Sequence, residues 1–394
     1  MSAAPPGPAP PGASQPGPGQ SRAGVWRAPG RANLMGEHTD YNRGLVLPFA
    51  IGPGIAATAA GRDDGLLVLR SRQEPGEPAA VAIDALAPGA VAGWAAYPAG
   101  VAWALREAGY PVPAASIDFD SDLPAGAGLS SSAALECATA LALTGLGGLA
   151  VPRQDLVTIT RRAENEFVGV PTGIMDQSAS LLCQAGQALL LDCATLRAAQ
   201  VPFDPAAAGA ELLVVNTRAP HAHAGGSYAR RRAECEEAAR QLGVPSLGGL
   251  TDASDAGRLA DPVLRARARH VISDNARVRA AVGLLRSAAA DPGAATGPAA
   301  YARIGDLLSA AHRSLRDDFE VSWPQADVAV EAAGAAGALG ARMIGGGFGG
   351  SVLVLAPAGA GPAVRAAIDG AFGRRSWTPP EFTAAVPSAG AARA

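Results

Sequence analysis

The sequence predicts a mixed α/β fold (α/β or α+β) in two domains. Its 394 residues exceed what one compact domain usually holds. Short apolar runs typical of strands alternate with helical stretches in both halves of the chain. One such run leads through a glycine-rich segment directly into a helix of small residues. We therefore expect a Pro/Gly-rich disordered leader at 1–24, an N-terminal domain at 25–200 and a C-terminal domain at 201–394.

The elements follow from the spacing and type of the apolar residues. Residues 1–24 contain mostly Pro, Gly, Ala and Ser and have no apolar core of a signal peptide. Strand-like runs cover 55–60, 66–71, 81–84, 116–123, 187–193, 211–217, 351–357 and 381–386. Helical stretches cover 98–109, 130–146, 155–168, 228–242, 264–287, 301–317 and 363–372. The Ala/Gly/Pro-rich segment 289–300 is predicted to be a loop.

Composition narrows the classes of function. A formal charge of −3 and a hydrophobic content of 48% give no sign of a nucleic-acid or membrane surface. No apolar run reaches the roughly 18–20 residues that a membrane-spanning helix needs. Four cysteines are scattered without a CxxC pair, which favours reduced thiols and a cytoplasmic location. The chain has no lysine, so any phosphate must be bound by backbone N–H groups, arginine or a metal.

The segment Leu123–Ala134, LPAGAGLSSSAA, has the features of an anion-binding helix start. Gly126 and Gly128 let the backbone approach a ligand closely because they have no Cβ atom. The serines at 130–132 then begin a helix whose first N–H groups have no partners within the helix. Phosphate is favoured at such an end, and the hydroxyls can also bind Mg²⁺. The alternative is a serine-capped helix after a turn; a Walker A loop is excluded because GK[ST] is absent.

The stretch Gly345–Gly350, GGGFGG, formally satisfies the GxGxxG pattern. A dinucleotide fingerprint follows a strand, opens a helix and precedes an acidic residue by about 20 positions. Here the glycines precede a strand-like run and no suitable acid follows. The pattern therefore disfavours a Rossmann oxidoreductase and favours a loop that packs close to a ligand.

Asp176 and Glu164 are candidate acidic residues. Asp176 follows Pro171 and Gly173 near a predicted helix start, where the helix dipole favours a carboxylate. Glu164 lies twelve residues earlier on the preceding helix. One carboxylate could hold a metal while the other accepts a substrate proton. Taken alone, the two residues favour the simpler alternative of a helix-terminal acid and a solvated glutamate.

Histidines do not form a recognisable metal motif. His221 and His223 form HAH, but no third ligand is in register, which favours loop histidines. The segment GRANLMGEHTDYN at 30–42 packs an Arg, a Glu, a His and an Asp together, yet it lacks HExxH spacing. Such a cluster in an apolar setting indicates a site for a polar small molecule.

Three motifs, in this order, resemble the GHMP family of sugar and metabolite kinases. They are the polar cluster at 30–42, the phosphate loop PAGAGLSSS and the late loop GGGFGG. Within that family, GRANLMGEHTDYNRGLVLP is similar to the galactokinase signature. Further similarities lie in VPTGIMDQSAS, ALLLDC, GGSYARRRAECEEA and HRSLRDDFEVS. The resemblance extends from about Ala28 to the end of the chain.

The resemblance implies Mg²⁺- and ATP-dependent phosphorylation of the anomeric hydroxyl of α-D-galactose, giving galactose 1-phosphate and ADP, the first step of galactose catabolism (the Leloir pathway). It implies a two-domain fold with the active site in the cleft between the domains. Asp176 would be the catalytic carboxylate, with Arg31 beside the reacting hydroxyl. The sugar would be bound by Glu37, His38, Asp40, Gly173 and Tyr228. The ATP phosphates would be bound by Gly126, Ala127, Gly128, Leu129, Ser130, Ser131 and Ser132, and Mg²⁺ by Ser132 and Glu164.

Two other functions stay open within this resemblance. The chain could act on N-acetylgalactosamine or another sugar, because the pocket around the sugar 2-position cannot be read from the sequence. It could also be a galactose and ATP sensor that controls transcription. Such sensors lack residues of the serine loop, whereas GLSSSAA is complete here, so an enzyme is favoured. We expect a monomer whose partners are galactose and ATP.

Overall fold

The computed structural model describes residues 23–219, 224–290 and 296–394, and it confirms the mixed α/β fold. The strands are β1 (Ala23–Asn33), β2 (Leu45–Val46), β3 (Pro48–Gly61), β4 (Leu66–Ser71), β5 (Ala79–Ala82), β6 (Ala115–Ser121), β7 (Gln187–Asp192), β8 (Arg197–Pro202), β9 (Ala210–Asn216), β10 (Gly340–Ile344), β11 (Ser351–Pro357), β12 (Glu381–Ala384) and β13 (Ala392–Arg393). The helices are α1 (Ala96–Glu107), α2 (Ser131–Leu146), α3 (Arg153–Arg162), α4 (Met175–Leu182), α5 (Ala224–Leu242), α6 (Pro262–Ala290), α7 (Thr296–Asp317), α8 (Pro324–Ala335) and α9 (Gly361–Gly373).

The described strands form three sheets. The first has the order β13-β1-β3-β6-β4-β5, in which β4 and β6 are parallel and the other neighbours antiparallel. The second has the order β10-β11-β9-β12 and the third the order β2-β7-β8, both antiparallel. Because β10 and β11 are antiparallel neighbours, the glycine-rich loop between them joins two strands. A Rossmann fingerprint would instead join a strand to a helix.

The apolar core has three main parts. One lies between the first sheet and α1–α4, and a second lies among the second sheet, α5, α8 and α9. A third is shared by the two halves, with Phe49 and Ala32 packed among residues such as Leu353 and Val278. This shared core contains residues of both β1 and α6, so it joins the two halves of the chain. The division at residue 200 stays a prediction; β8 spans that position.

Some predicted elements differ from the observed ones. β1 was not predicted as a strand, because Pro29 and Gly30 interrupt its pattern, and its register with β3 shifts between Pro29 and Arg31. The predicted helix 155–168 is α3 followed by a π-helical turn, Ala163–Val168. The predicted loop 289–300 is wrong at both ends, since α6 continues to Ala290 and α7 begins at Thr296. The predicted leader lies outside the described residues except for its last two.

Residues 388–394 form a tail that returns to the first sheet. The Ser388 N–H donates to the carbonyl of Ala50 at 2.8 Å. The N–H groups of Gly390 and Ala391 donate to the carbonyls of Cys183 and Ser180, at the end of α4, at 2.8 and 2.7 Å. The last residues then pair with β1 as β13. The tail therefore ties β1 to α4.

Two further observations concern membrane-spanning helices and the state of the cysteines. Among the described residues, no helix has the length and apolar content needed to cross a membrane. All four cysteines, Cys137, Cys183, Cys193 and Cys235, are buried free thiols.

A pair of glycines lets α7 lie directly against β10, and this contact gives a prediction. A Cβ atom on Gly305 would lie 2.3 Å from the carbonyl oxygen of Leu339, and one on Gly340 would lie 2.0 Å from that of Gly305. We expect Gly305→Ala to lower the free energy of unfolding by about 1–3 kcal/mol, because backbone atoms would have to move. Chemical denaturation measures the change.

The matched control is Gly283→Ala in α6. Gly283 is exposed, and its added Cβ would meet nothing within 4 Å. The helix preference of Ala should raise stability there by roughly 0.5–1 kcal/mol. Equal stability of the two variants would show that the α7–β10 contact tolerates a methyl group.

Candidate active site

A cavity of about 350 Å³ lies where segments from both halves of the chain meet. It is formed by the end of β1, the loop that follows, the segment before α4, α5 and the glycine-rich loop after β10. Its lining residues are Arg31, Glu37, His38, Asp40, Val170, Pro171, Thr172, Gly173, Met175, Asp176, Tyr228, Gly345, Gly346 and Gly347. The residues predicted for catalysis and sugar binding all line this cavity. The predicted phosphate-loop residues and Glu164 lie beside it.

Arg31 and Asp176 form a two-point ion pair on the cavity wall. Arg31 Nε donates to Asp176 Oδ1 at 2.8 Å, and Nη2 donates to Oδ2 at 3.1 Å. Arg31 Nη1 donates to the carbonyl of Gly128 at 2.8 Å, and the Ser130 hydroxyl donates to Asp176 Oδ2 at 2.5 Å. Asp176 also lies in the first turn of α4, where the helix dipole favours a negative charge. The carboxylate is thus held in one orientation and joined to the phosphate loop.

Glu37 is a buried carboxylate held by the C-terminal half. Its Oε1 lies 2.6 Å from Arg342 Nη2 and accepts the Gly345 N–H at 2.8 Å. Burial raises the pKa of Glu37, while the charges of Arg342 and Arg31 act in the opposite direction. Arg342 lies on β10 and is completely buried. A buried guanidinium next to a buried carboxylate fixes the carboxylate's position more than it stabilises the fold.

His38 is held in a strained backbone conformation with a neutral ring. Its φ of 60° lies in the left-handed region that few non-glycine residues adopt. Its Nδ1 is 3.0 Å from the Tyr41 hydroxyl, and burial lowers its pKa to about 3. Its Nε2 is buried and has no hydrogen-bond partner among the described residues. A buried polar atom of this kind is suited to a hydroxyl of a bound molecule.

Asp40 and Gly173 touch across the cavity. A Cβ atom on Gly173 would lie 1.5 Å from Asp40 Oδ2, so only glycine fits there. Burial raises the pKa of Asp40 to about 6, with a further contribution from the charge of Asp176. The cavity therefore holds carboxylates that would repel one another without cations or bound donors.

Tyr228 lines the cavity and packs against the rings of His38 and Tyr41. Its ring lies 5.6 Å from that of His38 and 5.5 Å from that of Tyr41, measured between centroids. A Cβ on Gly346 would be 3.3 Å from the Tyr228 ring. The tyrosine thus packs between the polar cluster at 30–42 and the glycine-rich loop. Tyr228 is one of the residues that line the cavity.

The phosphate-loop residues form a turn before α2. Gly126, Gly128 and Ser130 all have positive φ, at 66°, 68° and 60°. The carbonyl of Leu129 accepts the Arg31 N–H at 3.2 Å, and that of Ala127 accepts the Ser351 hydroxyl at 2.7 Å. The loop is therefore anchored to β1 and to β11, while the first turn of α2 keeps its N–H groups for an anion.

Glu164 lies in the π-helical turn near the start of α2. Its Oε2 accepts the Thr172 hydroxyl at 2.8 Å and the Gln177 amide at 2.7 Å. The same Gln177 amide donates to the buried Glu136 at 3.1 Å. Glu136 Oε1 has no partner among the described residues. Burial raises the pKa of both glutamates.

The donor set around Glu164 fits Mg²⁺. A hydroxyl and a carboxylate are hard oxygen ligands, and Mg²⁺ is often held by one or two carboxylates together with substrate phosphates and water. No group of three or more His, Cys, Asp or Glu side chains in the described ranges could hold a metal alone. Ser132 and Glu164 would thus need nucleotide oxygens to complete the site. The tempting HAH pair, His221 and His223, lies outside the described residues.

Several residues of the site were missed from the sequence. Arg342 could have been noticed, because a charge within the apolar run before the glycine-rich loop needs a partner. Gln177 follows Asp176 directly, but nothing in its spacing indicates that it joins two glutamates. Glu136 was read only as part of a small-residue helix.

The raised pKa of Asp40 leads to a prediction about stability. Its value of about 6 exceeds the ordinary 3.8, so between these pH values the folded state binds more protons than the unfolded state. The free energy of unfolding therefore falls as pH rises from about 4 to about 6. We expect Asp40→Asn to raise it by up to about 3 kcal/mol at pH 7.5 without sugar, and to change it little at pH 3.5.

Urea denaturation at the two pH values measures this effect. The control is Asp84→Asn, at an exposed position. The same stability gain for Asp40→Asn at both pH values would contradict the predicted ionisation.

Comparisons with known proteins agree with this geometry. The family profile described as "GHMP kinases N terminal domain" matches residues 96–184, and "GHMP kinases C terminal" matches residues 298–374. The "Galactokinase galactose-binding signature" matches residues 18–61, which include the polar cluster at 30–42.

Relatives match over nearly the whole chain. A galactokinase from Streptomyces coelicolor is 48% identical over 374 residues, covering 94% of each chain. A galactokinase from Mycobacterium tuberculosis is 45% identical over 333 residues, covering 84% of this chain and 88% of that one. The crystal structure of Lactococcus lactis galactokinase complexed with galactose matches with a TM-score of 0.87 and 32% identity, covering 95% of this chain and 96% of that one. Mevalonate kinase, at 14% identity and a TM-score of 0.63, shares the fold. The chain belongs to the galactokinase family of GHMP kinases.

Proposed function

We propose that this chain transfers the γ-phosphoryl group of ATP to the anomeric hydroxyl of α-D-galactose, giving galactose 1-phosphate and ADP in a Mg²⁺-dependent reaction. Membership of the galactokinase family supports this activity. The observation that carries the mechanism is the Arg31–Asp176 ion pair, which lies on the cavity wall and is joined to the phosphate loop through Ser130. The reaction is the first step of galactose catabolism.

Asp176 is the catalytic carboxylate in this proposal. The anomeric hydroxyl gives its proton to Asp176 as the oxygen attacks the γ-phosphorus. Arg31 holds the carboxylate at two points and stabilises negative charge on the attacking oxygen. The Ser130 hydroxyl bonded to Asp176 connects the proton acceptor with the phosphate loop. Phosphoryl transfer depends mostly on such positioning and charge neutralisation, so no lysine is needed.

The sugar is recognised by the other residues of the cavity. Glu37 and Asp40 accept hydrogen bonds from ring hydroxyls of the sugar. The Nε2 atom of His38, which has no partner among the described residues, forms a hydrogen bond with another ring hydroxyl. Gly173 leaves room beside Asp40, and Tyr228 covers the aromatic side. A sugar that fails to reach one of these buried groups loses about 1–3 kcal/mol per unpaired group. The site therefore selects by hydroxyl position.

The phosphates of ATP bind to the backbone of residues 126–132 at the start of α2. The partial positive charge of the helix N-terminus and the hydroxyls of Ser131 and Ser132 favour the polyphosphate there. Mg²⁺ bound by Ser132 and Glu164 supplies charge neutralisation for the transferred group. Gln177 and Thr172 keep the Glu164 carboxylate in place.

The chain acts as a monomer in the cytoplasm in this proposal. Large exposed apolar side chains in the described ranges are isolated valines: Val170, Val263 and Val386. The free thiols fit a reducing compartment.

The first test asks whether Asp176 is needed for chemistry. Asp176→Asn keeps the shape of the side chain and avoids leaving the buried Arg31 without any polar neighbour. With Mg·ATP and D-galactose, kcat should fall by about 10³-fold or more, because the proton acceptor is lost. Galactose binding, measured by calorimetry, should persist.

The matched control for this variant is Asp155→Asn, another acid in the first turn of a helix, which is exposed and does not line the cavity. Unchanged turnover in Asp176→Asn would remove this residue from the chemical step. Binding of both ligands by the unaltered protein without phosphoryl transfer would instead make it a sensor.

A substrate panel decides which sugar is used. We expect kcat/KM to be highest for galactose among galactose, 2-deoxygalactose, N-acetylgalactosamine and glucose. Preference for another sugar would overturn the substrate while leaving the kinase activity intact.

The second test concerns the metal. Glu164→Gln removes the carboxylate charge but keeps its size, so the Mg²⁺ concentration needed for half-maximal activity should rise by about tenfold or more. Calorimetry can also measure the affinity for Mg²⁺ in the presence of a non-hydrolysable ATP analogue, which tests the site without turnover. Glu166→Gln, exposed on the same π-helical turn, is the control. Equal Mg²⁺ dependence of both variants would argue against Glu164 as a ligand.

A further inference from the structure

The backbone of Glu37 is bonded on both sides by buried side chains of α6. Asp274 Oδ2 accepts the N–H groups of Gly36 and Glu37, each at 3.0 Å. His270 Nε2 lies 3.1 Å from the carbonyl oxygen of Glu37. His270 and Asp274 are four residues apart and completely buried, so they lie on the same face of the helix. They reach back across more than 230 positions of the chain.

The partners of His270 determine where its proton lies. A carbonyl oxygen only accepts, so Nε2 must carry a hydrogen to bond Glu37. Burial lowers the pKa of His270 and favours the neutral ring. Nδ1 is then an acceptor that lies 2.9 Å from the Ser314 hydroxyl, whose one hydrogen is shared between this nitrogen and Asp318 Oδ2 at 3.1 Å. The ring is held in the tautomer that binds the carbonyl of Glu37.

Asp274 is held in place in a similar way. Its Oδ1 accepts Arg277 Nη1 at 2.7 Å, and this leaves Oδ2 for the two N–H groups. Burial acts to raise the pKa of Asp274, but the nearby guanidinium groups of Arg277 and Arg342 favour the carboxylate, and the pKa is lowered. A fixed carboxylate is a stronger acceptor for two N–H groups than water or an amide.

These bonds hold a strained turn. His38 follows Glu37 directly and has a φ of 60°, which persists only when the surroundings impose it. The remaining backbone oxygens of the turn are also bonded: Asn33 Nδ2 and the Thr39 hydroxyl donate to Gly36 O, and Asn42 Nδ2 donates to His38 O. The hydrogen bonds to the backbone of Glu37 come from α6. Removing them would let the turn relax and move the side chains of Glu37 and His38.

We propose that His270 and Asp274 are positioning residues for sugar recognition: by fixing the backbone of Glu37, they place Glu37 and His38 for the ring hydroxyls and so set galactose affinity and selectivity. The inference rests on the proposed sugar-binding role of Glu37 and His38. It gives α6, in the C-terminal half, a part in selecting the substrate without touching it.

The test separates positioning from stability. In Asp274→Ala, KM and the calorimetric Kd for galactose should rise by about tenfold or more, since two buried N–H groups lose their acceptor and the turn relaxes. The Kd for a non-hydrolysable ATP analogue should stay unchanged. The preference for galactose over glucose, as a ratio of kcat/KM, should fall. His270→Ala should act in the same direction.

Two further variants complete the experiment. Val278→Ala removes buried volume from the same helix but no hydrogen-bonding group, and it should lower Tm while leaving KM for galactose unchanged. Asp274→Asn keeps one oxygen for the two N–H groups, so it should recover part of the affinity lost in Asp274→Ala. If Asp274→Ala does not fold, Asp274→Asn and His270→Ala are compared with Val278→Ala instead.

The outcomes are distinct. A galactose Kd in the Asp274 and His270 variants equal to that of Val278→Ala would overturn the inference and reduce the two residues to a structural role. Loss of ATP-analogue binding in parallel with galactose binding would overturn it as well. If the unaltered protein prefers a sugar other than galactose, the proposed function fails, and that result is visible before any variant is measured.

Discussion

A buried guanidinium needs partners for its N–H groups, and in this protein that requirement organises the active site. Arg31 meets it with the carboxylate of Asp176 and the carbonyl of Gly128. Those partners belong to α4 and to the phosphate loop, while Arg31 itself belongs to β1. One side chain thus sets the distance between the carboxylate proposed to accept the proton and the loop proposed to bind the phosphates. Displacing any of the three elements would leave a charge buried without compensation, which is far more costly than a lost surface contact.

The same logic extends to the sugar side of the cavity. Glu37 comes from the N-terminal half, but its carboxylate is held by Arg342 and Gly345, and its backbone by α6. The two halves therefore meet through polar contacts in the site as well as through the shared apolar core. Polar contacts are directional, and they define the orientation of groups that an apolar core alone would leave imprecise.

Much of this arrangement could be predicted from local sequence. The strand-like and helical apolar runs predict the fold class, and the serine-rich helix start predicts the phosphate loop. Both features can be predicted because each depends on residues that are neighbours in the sequence. β1 was hidden by Pro29 and its bulge. Asp274 could not be found, because it contacts Glu37 across 237 positions and its local pattern resembles any helix. The π-helical turn at Glu164 was also unpredictable, since it depends on the packing of α3 and not on a distinctive pattern. The resemblance to a family predicts which residues act, whereas the contacts that hold those residues become visible only in the folded structure.

The tail at residues 388–394 has a consequence for how the protein meets other molecules. β13 occupies the side of β1 that would otherwise be the edge of the first sheet, and the Arg393 guanidinium lies 5.3 Å from the centre of the Trp26 ring. A two-residue strand bearing a charge is a poor template for further pairing, whereas an uncovered β1 would offer a long row of free N–H and C=O groups. The tail that ties β1 to α4 therefore also keeps residues 25–27 of β1 from pairing with a strand of another molecule. The same seven residues thus cover part of a sheet edge and join the two elements that carry Arg31 and Asp176.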